Sequence, residues 1–296
     1  MSPTLRGSAL ATLALALVGS LVASADLVEG YPLATGQALR YLLAAAVLAL
    51  VAGGRLPRLQ LRETLGLVAL SATGLVLFNV FVIEGVRETD PATVGVIVGC
   101  VPVLLALLGP LMEGRPLSAR VIAAAAVASV GAAGVQWAGG GVTAAGMLFA
   151  MGALACEAAF SLLAVPHLKR LGPLALSTYA CAFAVPILAV SSLFSHGPSL
   201  PMPDTEQAVA LVYMAVGVTV LGFVSWYSAV GLLGVERAGL FSGVLPLSAL
   251  ACSALLGVTA VTPERLLAAI VVAGGITLGV RAKRGREPVV AVAGAT

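Results

Sequence analysis

Gly95-Val96-Ile97-Val98-Gly99-Cys100-Val101-Pro102 and Gly239-Leu240-Phe241-Ser242-Gly243-Val244-Leu245-Pro246 carry one pattern, G-x-x-x-G-x-x-P, written twice and 144 residues apart. The same offset sets Gly131 on Gly275. Glycines four apart leave a smooth groove that admits a neighbouring backbone, and a helical proline frees the carbonyl four residues before it. The residue types with the strongest backbone consequences therefore recur in register, which predicts a duplicated chain. Both copies lie in apolar runs, so the duplicated unit is a bundle of membrane helices.

Working outward, apolar runs bounded by Gly, Pro and charge divide the chain into ten segments, at about 5–26, 33–52, 64–86, 92–111, 118–137, 144–165, 173–194, 207–232, 238–259 and 264–282. Ten helices of about 20 residues fit a chain of 296. Composition agrees: 60% of residues are apolar and 10% charged, against roughly 45–50% and about 25% in a soluble domain. Sixteen basic and thirteen acidic residues cannot coat a soluble globule of this size, which excludes an ordinary soluble enzyme. Cys100, Cys156, Cys181 and Cys252 all fall inside apolar runs, where free thiols behave as small hydrophobes, so no disulfides are expected. Arg6 followed by an apolar run to Ala23-Ser24-Ala25 has some character of a secretory signal; at about 19 residues the run exceeds the usual ~7–15-residue signal core and is read as a retained first helix.

Distributing basic residues over alternate sides gives thirteen on the side of the N-terminus and two, Arg87 and Arg265, on the other, with Arg40 inside a segment. That bias supports an even number of spans and cytoplasmic termini. Five helices per copy is odd, so the second copy enters the membrane from the opposite face. The expected fold is an all-α integral membrane protein of ten transmembrane helices, arranged as two inverted five-helix repeats around a central cavity. The repeats are read as 1–137 and 144–282, with 283–296 a flexible cytoplasmic tail. Inverted repeats are a transporter architecture with the substrate site near the midplane.

The two halves, these Gly and Pro placements and Arg40-Tyr41-Leu42-Leu43-Ala44 in the second helix resemble EamA-type members of the drug/metabolite transporter superfamily over residues 5–282. Within it the chain looks most like bacterial exporters of amino acids and related metabolites, including the aromatic amino-acid branch. Two positions depart from the family pattern. A Glu common at the cytoplasmic end of the fourth helix is present as Glu113 but replaced by Gly257 in the second half, and Glu157 stands where members often carry Trp.

Gly95, Gly99, Pro102, Gly239, Gly243 and Pro246 either flex during gating or serve packing, and the two roles are compatible. Glu157, roughly 20 Å from the outer end of its helix, must face a cavity or partner, or be protonated. A proton-coupling carboxyl or a receptor for a substrate ammonium would exploit that position; a structural hydrogen bond is the alternative. Arg40 is read as structural, through its family counterpart, over a contact to a substrate carboxylate. Glu84, three residues before Arg87, reads as solvated or capping. Phe78, Asn79 and Phe81 in helix three, and Phe223, Trp226 and Tyr227 in helix eight, could form an aromatic wall with an amide for a small zwitterion. Trp226 and Tyr227 could instead belong to an interfacial belt. Ser242, Ser20 and Ser24 are hydroxyl candidates, more often satisfied by a carbonyl one turn back.

There is no phosphate-binding G-x-x-x-x-G-K-[ST] loop, which excludes ATP-driven transport by this chain. Two histidines, His167 and His196, both placed in loops, leave no metal constellation, so neither metal nor cofactor is expected. The expected partners are the lipid bilayer, a small-molecule substrate and protons, without nucleic acid; oligomeric state is not readable, and a monomer is compatible with the sequence. The predicted activity is export of small organic solutes, foremost neutral or aromatic amino acids, across a bacterial inner membrane by alternating access. A phosphorylated-metabolite or nucleotide-sugar exchanger would need more cavity cations than Arg40. An intramembrane enzyme lacks catalytic groups, and a non-transporting scaffold would show no flux.

Overall fold

Helix boundaries follow local chemistry. In the computed structural model, which describes residues 2–21, 26–28, 30–136, 143–196, 201–257 and 261–281, Thr143 caps the helix after it by accepting the Gly146 amide at 3.0 Å. Asp204 and Gln207 form a reciprocal capping box, as do Gln60 and Glu63. Ser24 and the tail 283–296 lie outside the described residues.

Among those residues the chain is helical with no strand. The rods are α1 (Pro3–Gly19), α2 (Leu33–Ala52), α3 (Leu61–Glu88), α4 (Pro91–Val98, then Val101–Met112 after a break), α5 (Ala119–Gln136), α6 (Ala144–Leu162), α7 (Val165–His196), α8 (Thr205–Leu233), α9 (Val235–Leu255) and α10 (Pro263–Val280). Eight of them are long and apolar enough to cross a membrane; Pro3–Gly19 and Ala119–Val135 are apolar but shorter. Large side chains such as Leu50, Phe194, Leu255 and Ile270 stand exposed on the outside. In water such a surface would be an aggregation hazard, whereas in lipid it is the proper coat.

Two expected breaks are helical. His167-Leu168-Lys169-Arg170 forms the start of α7, which kinks at Gly172, with φ +73°, directly before Pro173; His167 is therefore a helix residue and not a loop residue. Val235-Glu236-Arg237 opens α9 immediately after Gly234, whose φ of +83° turns the chain without a loop. In both places a single left-handed glycine replaces the connection that polar residues suggested.

Two features repeat at the 144-residue offset. A wide π turn interrupts α3 at Ser71–Leu77 and α8 at Met214–Leu221. The fourth helix of each half is likewise broken at its glycines, α4 around Gly99-Cys100 and α9 through a 3-10 turn at Leu240–Gly243. Pro102 then sits in the first turn of the second half of α4, where its lack of an amide hydrogen does no harm.

Packing follows the same offset. α2 lies against α7 and α5 against α10, each rod meeting its own equivalent. α1 packs on the second half of α8 and α6 on the second half of α3; α1 meets α9 and α6 meets α4. Gly131 and Gly275 bring α5 and α10 together so closely that a methyl on either would lie 2.7 Å from the Val272 nitrogen or 2.6 Å from the Ala128 nitrogen. The symmetry is incomplete at the ends. The last turns of α4 pack on the start of α9, and Gly222–Leu233 packs on α7, without equally extensive contacts between Pro91–Val98 and Val244–Leu255, or between Phe78–Glu88 and α2.

Candidate functional site

The wide turns aim the second halves of α3 and α8 at the centre of the bundle. Phe223, Trp226 and Tyr227 of α8 are all buried, so neither Trp226 nor Tyr227 lies in a belt at the lipid surface. The Trp226 indole donates to Ser161 Oγ at 3.2 Å, and the Tyr227 hydroxyl points to the Phe160 carbonyl. Phe160 of α6 is wedged between Phe223 and Tyr227 with ring centroids 5.1 and 5.3 Å away, and Tyr41 of α2 lies 6.5 Å from Phe223. These rings plug the bundle at its tightly packed end.

α3 presents a looser counterpart. Phe78 and Asn79 are half-buried. Asn79 donates to the Leu75 carbonyl at 2.8 Å. Phe81 is turned elsewhere: its ring lies against Gly152 and 6.3 Å from Phe149 of α6, as a packing element between helices. Phe223, Trp226 and Tyr227 thus lie buried among the rings, Phe78 and Asn79 are half-buried on α3, and Phe81 packs against α6.

Glu157 lies thirteen residues, about 20 Å, into α6. It is half-buried and, among the described residues, has neither a hydrogen bond nor an ion pair. It stands within electrostatic reach of Tyr41 and Tyr227. Arg40, 7% exposed, donates from Nε to Thr219 Oγ1 at 2.8 Å and from Nη1 to Gln37 at 3.3 Å, with its guanidinium 5.3 Å from the Tyr41 ring. Thr219 sits in the wide turn of α8 and its hydroxyl donates to the Met214 carbonyl at 3.0 Å. The wide turn of α3 is tied across the repeats too, by Ser71 donating to Ala180 of α7 at 2.8 Å.

The glycines are in close packing. A methyl on Gly239 would come within 2.8 Å of Leu105, and one on Gly243 within 2.5 Å of Val272, while Gly99 faces Ala132. Pro102 and Pro246 are buried and Gly95 half-buried beside these contacts. Ser242 is half-buried in the 3-10 turn. Ser20 bonds the Leu17 carbonyl and Tyr213. Glu84 pairs with Arg87 at 2.7 Å near the end of α3.

At the tightly packed end two ion pairs cross between the halves. Arg115 meets Glu236 at 2.9 Å and Glu113 at 2.6 Å. Burial pulls the Arg115 pKa down, but the hydrogen bonds it donates to Glu236 and Glu113 outweigh it and leave the value raised. Arg170 bonds both carboxylate oxygens of Glu63 and the Arg58 carbonyl. Sequence reasoning did not find these pairs, nor Tyr41, Phe160, Ser161 and Thr219 as neighbours of the site. The one available signal was hydroxyls and rings inside apolar runs; chain separations of 121 residues between Arg115 and Glu236 and 179 between Arg40 and Thr219 hide the rest.

A bundle of apolar helices with matched wide turns, matched helix breaks and a polar centre defines a multi-pass membrane transporter. The EamA-like transporter family matches residues 6–137 and again 144–281, so the chain belongs to that family. It is similar to the uncharacterized transporter YetK of Bacillus subtilis, at 28% identity over 81% of this chain and 76% of the relative. It also resembles a protein of Streptantibioticus cattleyicolor named as a probable terminal-alkyne amino-acid exporter, at 30% identity over 70% of each chain. A solved crystal structure shares the fold with a TM-score of 0.77 at 18% identity, covering 94% of this chain and 97% of that one. Eight apolar spans and bacterial transporter relatives place the chain in the bacterial inner membrane as a multi-pass protein.

Proposed function

We propose that the chain is a secondary exporter of amino acids, neutral or aromatic ones foremost, and of related small metabolites. In this reading all ten rods span the membrane as two inverted repeats, 1–137 and 144–282, with both termini and the tail 283–296 in the cytoplasm. The substrate occupies the centre between Asn79, Glu157 and Phe223, with Trp226, Tyr227, Phe78 and Ser242 around it, and the broken helices α4 and α9 flex about Gly95, Gly99 and Pro102, and about Gly239, Gly243 and Pro246. The observation that carries this reading is the meeting of rods at the 144-residue offset, α2 with α7 and α5 with α10, as rocking of two related halves requires. The relative named as an amino-acid exporter supports the substrate class. With α4 and α9 packed together on the side that receives most basic residues, the conformation described is closed to the cytoplasm.

Glu157, without a counter-ion of its own among the described residues, is the carboxyl through which proton antiport would run; passage without it needs no coupling ion. Efflux of phenylalanine from proteoliposomes, with and without a pH gradient, tests both levels. Protein-dependent efflux is expected, accelerated by the gradient in wild type and insensitive to it in Glu157→Gln. No protein-dependent flux for amino acids, purines or quaternary amines would sink the transport reading; equal rates in all four conditions would remove only the coupling.

A further inference from the structure

Residues 53–60, which join α2 to α3, form a fixed strap across the start of α7. Gly53 and Gly54, with φ of +56° and +75°, turn the chain out of α2. The Pro57 carbonyl accepts the Tyr179 hydroxyl at 2.7 Å and the Arg58 carbonyl accepts Arg170 Nη2 at 2.9 Å, so the strap is bonded on both sides of the kink at Gly172. Its far end is locked by the capping box of Gln60 and Glu63. On α3 the missing side chain of Gly66 leaves room for the His167 ring, which docks the start of α7 there.

This fixed corner carries a charge imbalance. Glu63 is the sole acid between positions 30 and 83, and there is none between 158 and 203. Arg170 engages both of its oxygens. Around that pair, Arg62 is the chain neighbour of Glu63, Lys169 is the neighbour of Arg170, and Arg58 supplies the carbonyl that Arg170 binds, with Arg55 farther along the strap. All four are exposed, and none has an ion pair among the described residues. Leu50 at the end of α2 and Leu61 at the start of α3 are exposed as well. The cations thus stand where lipid-facing apolar surface gives way to water.

We infer that the strap is a binding site for the phosphodiester headgroup of an anionic phospholipid, held by Arg58, Arg62 and Lys169 with Arg55 at its edge, its acyl chains over the exposed leucines. Guanidinium forks match phosphate oxygens in pairs, and each basic residue beside a span gains about fivefold in affinity from an anionic leaflet. The positive-inside bias accounts for the sign of these charges. It does not account for a segment bonded in place with its one acid already engaged. A water-soluble anion would meet the same charges but leave the leucines uncovered, which favours the lipid.

Lipid competition on the purified full-length chain is the test. Protein in detergent micelles is offered phosphatidylglycerol and phosphatidylcholine together, and the lipid retained is counted by native mass spectrometry. Wild type is expected to retain phosphatidylglycerol over phosphatidylcholine by about tenfold or more, and Arg58→Gln/Arg62→Gln to lower that ratio by about fivefold or more. Arg6→Gln/Arg120→Gln removes as many exposed cations from α1 and α5 and should leave the ratio as in wild type. If Arg58→Gln/Arg62→Gln does not fold, Lys169→Gln decides, with a loss of about threefold or more expected. A ratio unchanged in the folded strap variant, or lowered equally by the Arg6 and Arg120 substitutions, overturns the site. Displacement of phosphatidylglycerol by equal concentrations of glycerol 3-phosphate or polyglutamate overturns the lipid as its occupant. Each outcome is read without any transported substrate, so the site stands or falls apart from the exporter reading.

Discussion

Arg115 and Glu236 stand 2.9 Å apart across the two repeats, and their burial is unequal: the Glu236 side chain is 5% exposed and that of Arg115 21%. Arg115 has a second acceptor in Glu113. Removing one partner is therefore not equivalent to removing the other. Arg115→Gln strands a buried carboxylate and is expected to cost about 2–4 kcal/mol, whereas Glu236→Gln leaves Arg115 with Glu113 and costs about 1 kcal/mol. Thermal or denaturant unfolding in detergent ranks the two variants, and a reversed order would contradict the assigned geometry.

The close approach of α5 and α10 at Gly131 and Gly275 makes a second expectation. A methyl at either position meets backbone atoms under 3 Å away, and backbone cannot turn aside as a side chain can. Gly131→Leu or Gly275→Leu should force α5 and α10 apart and lower stability by about 1–3 kcal/mol or more. Gly274→Ala, which meets nothing within 4 Å, is the matched control. Comparable melting of all three proteins would refute the close approach.

Thr219 allows a finer test. Thr219→Val keeps the shape but removes the acceptor of the Arg40 Nε proton and the bond to Met214. The cost is about 1–3 kcal/mol for a stranded buried donor. Thr219→Ser preserves both bonds and should stay within a fraction of that. Destabilisation by Thr219→Ser without destabilisation by Thr219→Val would show that the methyl, not the hydroxyl, mattered.

Phe160 anchors the ring cluster, touching Phe223 and Tyr227. Phe160→Ala is expected to cost about 3–5 kcal/mol by opening a void among the rings. It should also admit a water-soluble thiol reagent to the buried thiol of Cys181. Protection of Cys181 equal to that in wild type would argue that the plug does not depend on Phe160.

How far these features could be read from the chain depends on what specifies them. The apolar rods were legible because a bilayer demands about 20 apolar residues each time, and the match of Gly131 with Gly275 because the repeat keeps them in register, whereas the close approach of their helices carried no signal of its own. The wide turns were not legible: Ser71–Leu77 and Met214–Leu221 have the composition of ordinary helix, and tertiary bonds such as Ser71 to Ala180 accompany the altered ring closure. Phe81 was misassigned because alternation around a helix gives its side but not the rotation that the wide turn adds. The start of α7 was hidden because His167-Leu168-Lys169-Arg170 is polar enough for a loop, while Arg170 is held by Glu63, 107 residues away.

The wide turns have one further consequence. Each stores one residue more than an α-helix needs for the same rise. Handing that surplus along the rod by one position re-aims whatever it passes by about 100° while both ends stay anchored. α3 and α8 thus each contain a swivel, with Asn79 beyond one and Phe223 beyond the other, by which the two halves can exchange the side chains they show to the centre without unwinding a helix.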